Sequence, residues 1–207
     1  MDWGQAPANP EDPGPGEFNT VHSIAISADR RLYVVDRAHA RIQIFNEDGT
    51  FLDMFSTGPR ASSRPYAHEI LRDRETGEEF IWVADGGTHR ILKYDLDGNY
   101  LYGWGGQGGR PGQFNGPHSL TVDPDGNLYT AEVFAGRVQK FVPRPGADPA
   151  KLAGHQLRQL GLNATGAPPL FPWTGGQEEP RRPRMLIVGF RSNEVAPAVL
   201  PNMPRFP

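Results

Sequence analysis

Asn115-Gly116-Pro117-His118-Ser119-Leu120-Thr121-Val122-Asp123-Pro124-Asp125-Gly126-Asn127-Leu128-Tyr129-Thr130-Ala131-Glu132 is the stretch whose reading decides the fold. A loop ends at Pro117, and a histidine opens a short run of alternating apolar residues. Asp123 to Asn127 has turn composition. Leu128 to Ala131 is a second apolar run, closed by an acid. Two short alternating runs joined by an Asp/Gly/Asn turn predict a β-hairpin.

The same pattern is written twice upstream. Val21-His22-Ser23-Ile24-Ala25-Ile26-Ser27 is followed by Arg31-Leu32-Tyr33-Val34-Val35-Asp36. Ala67-His68-Glu69-Ile70-Leu71-Arg72-Asp73 is followed by Phe80-Ile81-Trp82-Val83-Ala84-Asp85. Each copy continues into a third run: Arg41-Ile42-Gln43-Ile44-Phe45, Arg90-Ile91-Leu92-Lys93-Tyr94 and Arg137-Val138-Gln139-Lys140-Phe141. The histidines recur after 46 and 50 residues, and the arginines after 49 and 47. A repeat of that length built only of strands predicts an all-β fold, a β-propeller, with one blade per copy.

The blades are expected at about 14–56, 57–104 and 105–142, making residues 1–142 one partial propeller. Pro10-Glu11-Asp12-Pro13-Gly14-Pro15-Gly16-Glu17-Phe18-Asn19 and Arg110-Pro111-Gly112-Gln113-Phe114-Asn115 read as connectors between blades, with Phe18 and Phe114 as buried anchors. The middle copy carries Thr57-Gly58-Pro59-Arg60-Ala61-Ser62-Ser63-Arg64-Pro65 in that place. From residue 143 the repeat is lost. Residues 143–207 read as a Pro-rich irregular tail, with a short helix over Lys151 to Leu162, little regular structure over 163–184, and a strand at Met185 to Phe190.

Composition narrows the function classes. The chain has 207 residues, a formal net charge of −3 and no cysteine, so disulfides and thiolate metal sites are excluded. The acidic balance argues against nucleic-acid binding and against a membrane-surface role. No apolar run reaches the 18 residues that a spanning helix needs, and Met1-Asp2-Trp3-Gly4-Gln5 does not read as a signal peptide. The compartment is left open.

Three histidines at one register predict side chains turned toward one concave surface, because a shift by one residue would reverse the face. His22, His68 and His118 are therefore the candidate metal ligands: converging imidazoles are a zinc motif when a fourth position stays open. A histidine at such a corner also serves simply to hydrogen-bond a neighbouring blade, and a repeated structural role would recur in the same way. The acids Asp36, Asp85 and Glu132 and the arginines Arg41, Arg90 and Arg137 are read as a brace within each hairpin. His39, His89 and His155 fall in loops or tail and are expected to be solvated.

The Pro-Gly-Gln-Phe-Asn connector, the Asp-Gly-Asn-Leu-Tyr turn and Asp36-Arg37-Ala38-His39-Ala40-Arg41-Ile42-Gln43-Ile44-Phe45 resemble the NHL repeat over about residues 10–142. The resemblance implies a ring of six blades, of which three are present. It therefore implies either missing blades, expected on the N-terminal side, or self-association to close the ring. Within that family the chain is similar to the peptidyl-α-hydroxyglycine α-amidating lyases, which split a C-terminal α-hydroxyglycine into a peptide amide and glyoxylate. Val21-His22-Ser23-Ile24-Ala25-Ile26 and Gly116-Pro117-His118-Ser119-Leu120 match two zinc-histidine segments of those enzymes, and Arg37 matches an arginine near the substrate. The resemblance thus implies zinc, with structural calcium as a further candidate, and Arg37 as the candidate catalytic residue. His68, in the blade between, is an extra rather than a match. Two departures weigh against the activity. Asp85-Gly86-Gly87-Thr88 lacks the tyrosine that the lyases carry there, and Gly116 replaces their methionine. The expected partners are a small-molecule or peptide substrate or, in a non-catalytic module, a protein on the blade faces. The chain alone is expected to be inactive.

Overall fold

The computed structural model describes residues 2–73 and 76–156. Strands β1 (Val21–Ile26), β2 (Leu32–Asp36), β3 (Arg41–Phe45) and β4 (Phe51–Ser56) form the first blade, each antiparallel to the next. The second comprises β5 (Pro65–Arg72), β6 (Glu79–Asp85), β7 (Arg90–Tyr94) and β8 (Tyr100–Gly105). The third has β9 (Pro117–Val122), β10 (Leu128–Glu132) and β11 (Arg137–Phe141). The fold is all-β, an arc of a β-propeller in which successive blades pack face to face.

Alternation along the strands creates two cores, one per seam. Tyr33, Val35, Ile42 and Ile44 of blade one meet Ile70, Ile81, Val83, Leu92 and Tyr94 of blade two. Trp82, Ala84 and Ile91, from the other face of blade two, meet Leu120, Val122, Leu128 and Phe141 of blade three. A blade with both faces covered therefore reads as near-continuous apolar runs, as Ile81-Trp82-Val83-Ala84 does.

The repeated polar residues hold the connectors. Asp36 accepts from Arg41 Nε at 2.9 Å and from the Asn19 backbone N–H at 3.0 Å. Glu132 does the same with Arg137 (2.7 Å) and Asn115 (2.7 Å). The two guanidiniums also donate to the Glu17 and Gln113 carbonyls, as do the amides of Gln43 and Gln139. Acid, arginine and glutamine together satisfy the buried backbone groups of the Pro-Gly-x-Phe-Asn turn, which no strand can pair. Blade two has neither that connector nor the glutamine, which is Leu92. Asp85 accepts instead from Ser63 Oγ and the backbone N–H groups of Arg64, Gly87 and Thr88. The expected brace thus holds in blades one and three, while among the described residues no ion pair joins Asp85 to Arg90. His39, expected in solvent, is buried with Nδ1 2.7 Å from Asp36 Oδ2.

Phe114 is fully buried; Phe18 is half-buried, and the seam ahead of blade one copies the one behind blade two. Trp3 and Phe18 lie 6.4 and 5.9 Å from the Phe45 ring, as Trp104 and Phe114 lie 4.6 and 5.9 Å from Phe141.

After blade three the chain turns back. The start of the expected helix over Lys151 to Leu162 is replaced by a single 3-10 turn at Pro149–Lys151 and a two-residue strand β12 (His155–Gln156). β12 pairs antiparallel with Arg72 and Leu71, on the inner edge of blade two. Two features hold it there. Lys93, buried against the Phe80 ring, donates from Nζ to the Ala150 carbonyl at 2.7 Å. Gly154 lies so near β5 that a Cβ would come within 1.9 Å of the Arg72 carbonyl oxygen. The tail expectations for 163–184 and for Met185 to Phe190 lie outside the described residues.

Candidate functional site

The inner strands set the site. Val21, Pro65 and Pro117 stand opposite Asp36, Asp85 and Glu132, and a register shift follows in every blade. The next residue, carried on that bulge, is His22, Tyr66 or His118. Bulges of this kind re-aim side chains at the rim of a sheet. Here they bring the three rings together. The centroids of His22 and His118 are 4.9 Å apart, those of Tyr66 and His118 4.7 Å, and those of His22 and Tyr66 5.4 Å. The Arg37 guanidinium lies 5.3 Å from the centroid of Tyr66, within cation–π range. Tyr66 finds room because residue 86 is glycine: a Cβ there would lie 2.0 Å from Tyr66 Cε2.

His22 Nδ1 contacts the Tyr66 carbonyl, which can only accept, so Nδ1 is the donor in that contact. The pKa of His118 is lowered, first by desolvation, then by His22 and Arg37. Both effects favour a neutral imidazole, the form that binds ligands or metal.

His68 corrects the expectation of a shared register. It stands opposite Val83, as Ile24 stands opposite Val34 and Leu120 opposite Thr130, two residues deeper than His22 and His118. Its side chain is buried beneath the ring cluster. Ser23 Oγ accepts from the His68 backbone N–H at 3.2 Å and also shares a hydrogen bond with Nδ1 at 2.6 Å. Nε2 has no hydrogen-bond partner among the described residues. Burial pushes the pKa of His68 down to about 4, opposed by a weaker interaction with the Tyr33 backbone. The residue taking the third place is Tyr66. Aligning the copies on Pro65 and Pro117, rather than on the histidines, would have found it.

A zinc site takes three or four protein ligands. His22 and His118 supply two, and His22 already has the backbone partner that orients a ligating imidazole. Among the described residues no group of three or more His, Cys, Asp or Glu is placed to hold a metal. These residues alone therefore do not fit zinc. The turn acids do not supply a ready calcium site either. Asp123 accepts from Asp125 N, Asn127 N, Asn127 Nδ2 and the Tyr129 hydroxyl, and Asp95 is likewise spent on Asp97 and Asn99.

Three bulged rings gathered at the inner edge of three consecutive antiparallel sheets define the class, a partial β-propeller. The NHL repeat family matches residues 114–141. Three curated relatives show the reach of the similarity. Protein brain tumor of Drosophila melanogaster is 28% identical over 127 residues, 61% of this chain and 12% of its own length. Peptidyl-glycine alpha-amidating monooxygenase A of Xenopus laevis is 40% identical over 79 residues, 35% of this chain and 8% of its own. NHL repeat-containing protein 3 of Homo sapiens is 28% identical over 144 residues, 63% of this chain and 37% of its own. The chain thus spans well under half the length of each. Among solved structures, a periplasmic gluconolactonase of Pseudomonas aeruginosa superimposes with a TM-score of 0.48 at 16% identity, over 69% of this chain and 39% of that one.

Proposed function

We propose that the chain carries the ligand-binding side of an NHL propeller of amidating-lyase descent, and that its cleft binds a peptide-like molecule through a terminal carboxylate. The observation that supports this reading is the Arg37 guanidinium above the Tyr66–His22–His118 cluster. A guanidinium offers two parallel donors to a carboxylate, and the rings beside it suit the apolar body of the ligand. The similarity to a peptidyl-glycine alpha-amidating monooxygenase supports the same kind of ligand, a peptide ending in glycine. His22 and His118 would hold zinc with one further ligand from outside the described residues, and zinc would supply a Lewis acid there. Tyr66 brings a phenol to the face of Gly86, next to the place where the resembling enzymes carry a tyrosine. With two imidazoles among the described residues, the site is read as one that binds. That donor count equally favours the second reading, a non-catalytic module that binds a peptide or protein partner.

Titration of the chain with hippurate and with its carboxamide, followed by calorimetry, tests the proposal. Hippurate should bind, Arg37→Ala should weaken it about 10-fold or more, and the carboxamide should bind no better than to the variant. Equal affinity for the acid and the carboxamide would remove the carboxylate reading. Zinc is tested apart, by titration into wild type and into His22→Ala plus His118→Ala. Identical isotherms would dismiss a metal at this pair.

A further inference from the structure

The internal seams provide a measure for the two ends of the arc. Each seam joins a trailing face, Tyr33, Val35, Ile42 and Ile44 in blade one, to the leading face of the next blade. By strand register, the leading face of blade one presents Ile24 and Ile26 where blade two presents His68 and Ile70 and blade three Leu120 and Val122. Those four are buried, yet Ile24 is 58% and Ile26 44% exposed. At the other end, Val138 stands where blades one and two carry Ile42 and Ile91. Both isoleucines are fully buried, and Val138 is 69% exposed. Blade three copies blade two further: Lys140 lies over the Tyr129 ring at 5.2 Å, as Lys93 lies over Trp82 at 5.4 Å.

Among the described residues the arc thus carries the two halves of one seam, a leading face without a trailing partner and a trailing face without a leading one. We propose that they dock on each other between two copies of this chain, head to tail, closing two three-bladed arcs into one ring. The occupant of each face is then a blade of known chemistry, the one at the opposite end of a second copy. A two-fold axis satisfies both faces at once and leaves none bare, which is the economy that makes closed symmetric dimers common. Ile24 and Ile26 on one face and Val138 on the other are the apolar side chains that such docking would cover. Blade one also has the receptor for the seam in place. Trp3, Phe18, Val21, Ile24 and Val34 line an open cleft beside the bare face. Closure turns both His22–Tyr66–His118 clusters toward one channel. The inference rests on the packing of the blades and is independent of the ligand reading.

Sedimentation velocity of the full chain across a micromolar concentration series tests it. Wild type should sediment as a dimer. Ile24→Asp and Val138→Asp should each sediment as monomers, since every seam then carries one charge. An equimolar mixture of the two should regain a dimer, because one seam of the mixed pair is wild type on both sides. A wild type that stays monomeric throughout overturns the proposal and points to an occupant other than a second copy. A dimer that survives either substitution, or a mixture that stays monomeric, overturns the head-to-tail geometry. The chain has no cysteine, so Ile26→Cys mixed with Val138→Cys gives a second readout on conservatively changed chains. A short thiol cross-linker should join the unlike variants and leave each alone uncoupled; coupling within one variant, or none in the mixture, contradicts the docking.

Discussion

Blade two and its two neighbours share a strand plan and differ in surroundings. Blade two is packed on both faces, and its inner edge also receives β12. Blades one and three each have one face that no other blade covers among the described residues. The same register position is therefore a core position in one blade and a surface position in another. What decides its energetic weight is the neighbour and not the side chain. The hub shows the same lesson in chemical form, since blade two puts a phenol where its neighbours put imidazoles.

The sharpest way to break this comparison is to truncate one register position in two blades. Ile91→Ala removes a fully buried side chain from the second seam and should cost about 2–5 kcal/mol. Val138→Ala, at the same position in blade three, should cost less than about 0.5 kcal/mol when the chain is monomeric. Urea denaturation at low protein concentration measures both, and comparable losses would mean that the bare face is covered within the single chain.

His68 sharpens it through pH. The folded imidazole stays neutral down to about pH 4, whereas the unfolded one protonates near 6.5. Between these values the unfolded chain binds the additional proton. The stability contribution is therefore complete above about pH 6.5 and falls as the pH drops toward 4, by about 3 kcal/mol in all. Leu120 fills the same position without titrating, so His68→Leu should flatten this part of the stability–pH curve. An unchanged slope in the variant would assign the titration elsewhere.

Gly86 probes the hub of blade two. Its counterparts after the strand-two acid are Arg37 and Val133, both tolerated there. Gly86→Ala meets the Tyr66 ring and should cost about 1–3 kcal/mol through overpacking. It should also shift the NMR resonances of His22 and His118, which a purely local strain would leave in place. The smallest effect is expected at Arg37, a half-buried residue, where Arg37→Ala removes a cation–π contact worth about 0.5–1 kcal/mol. Thermal unfolding should barely move while carboxylate binding falls. A large loss of stability would recast Arg37 as a structural brace.

The strands and their turns were legible because each hairpin advertises itself locally, through alternation and Asp/Gly/Asn turns. The pairing of His22 with His118 was legible for the same reason, since both follow the strand-opening residue directly. His68 was misplaced because histidine is a conspicuous letter, while register is set by the backbone. Pro65, not His68, marks the head of β5, and the bulge there spends Tyr66 and Ala67 before the ladder resumes. The 3-10 turn and β12 were hidden for another reason. Nothing in Pro149 to Gln156 alternates, and their placement depends on an edge of blade two that lies far back in sequence.

That returning strand has a consequence for the order of events during synthesis. The sheet of blade two takes its last member from residues made only after blade three is complete. Contacts between such distant parts of a chain form late, because the loop must close before the pairing rewards it. Blade two therefore leaves the ribosome with its inner edge open. It is sealed only when Gly154 reaches Arg72, a late stitch that ties the middle of the arc to residues made after its last blade.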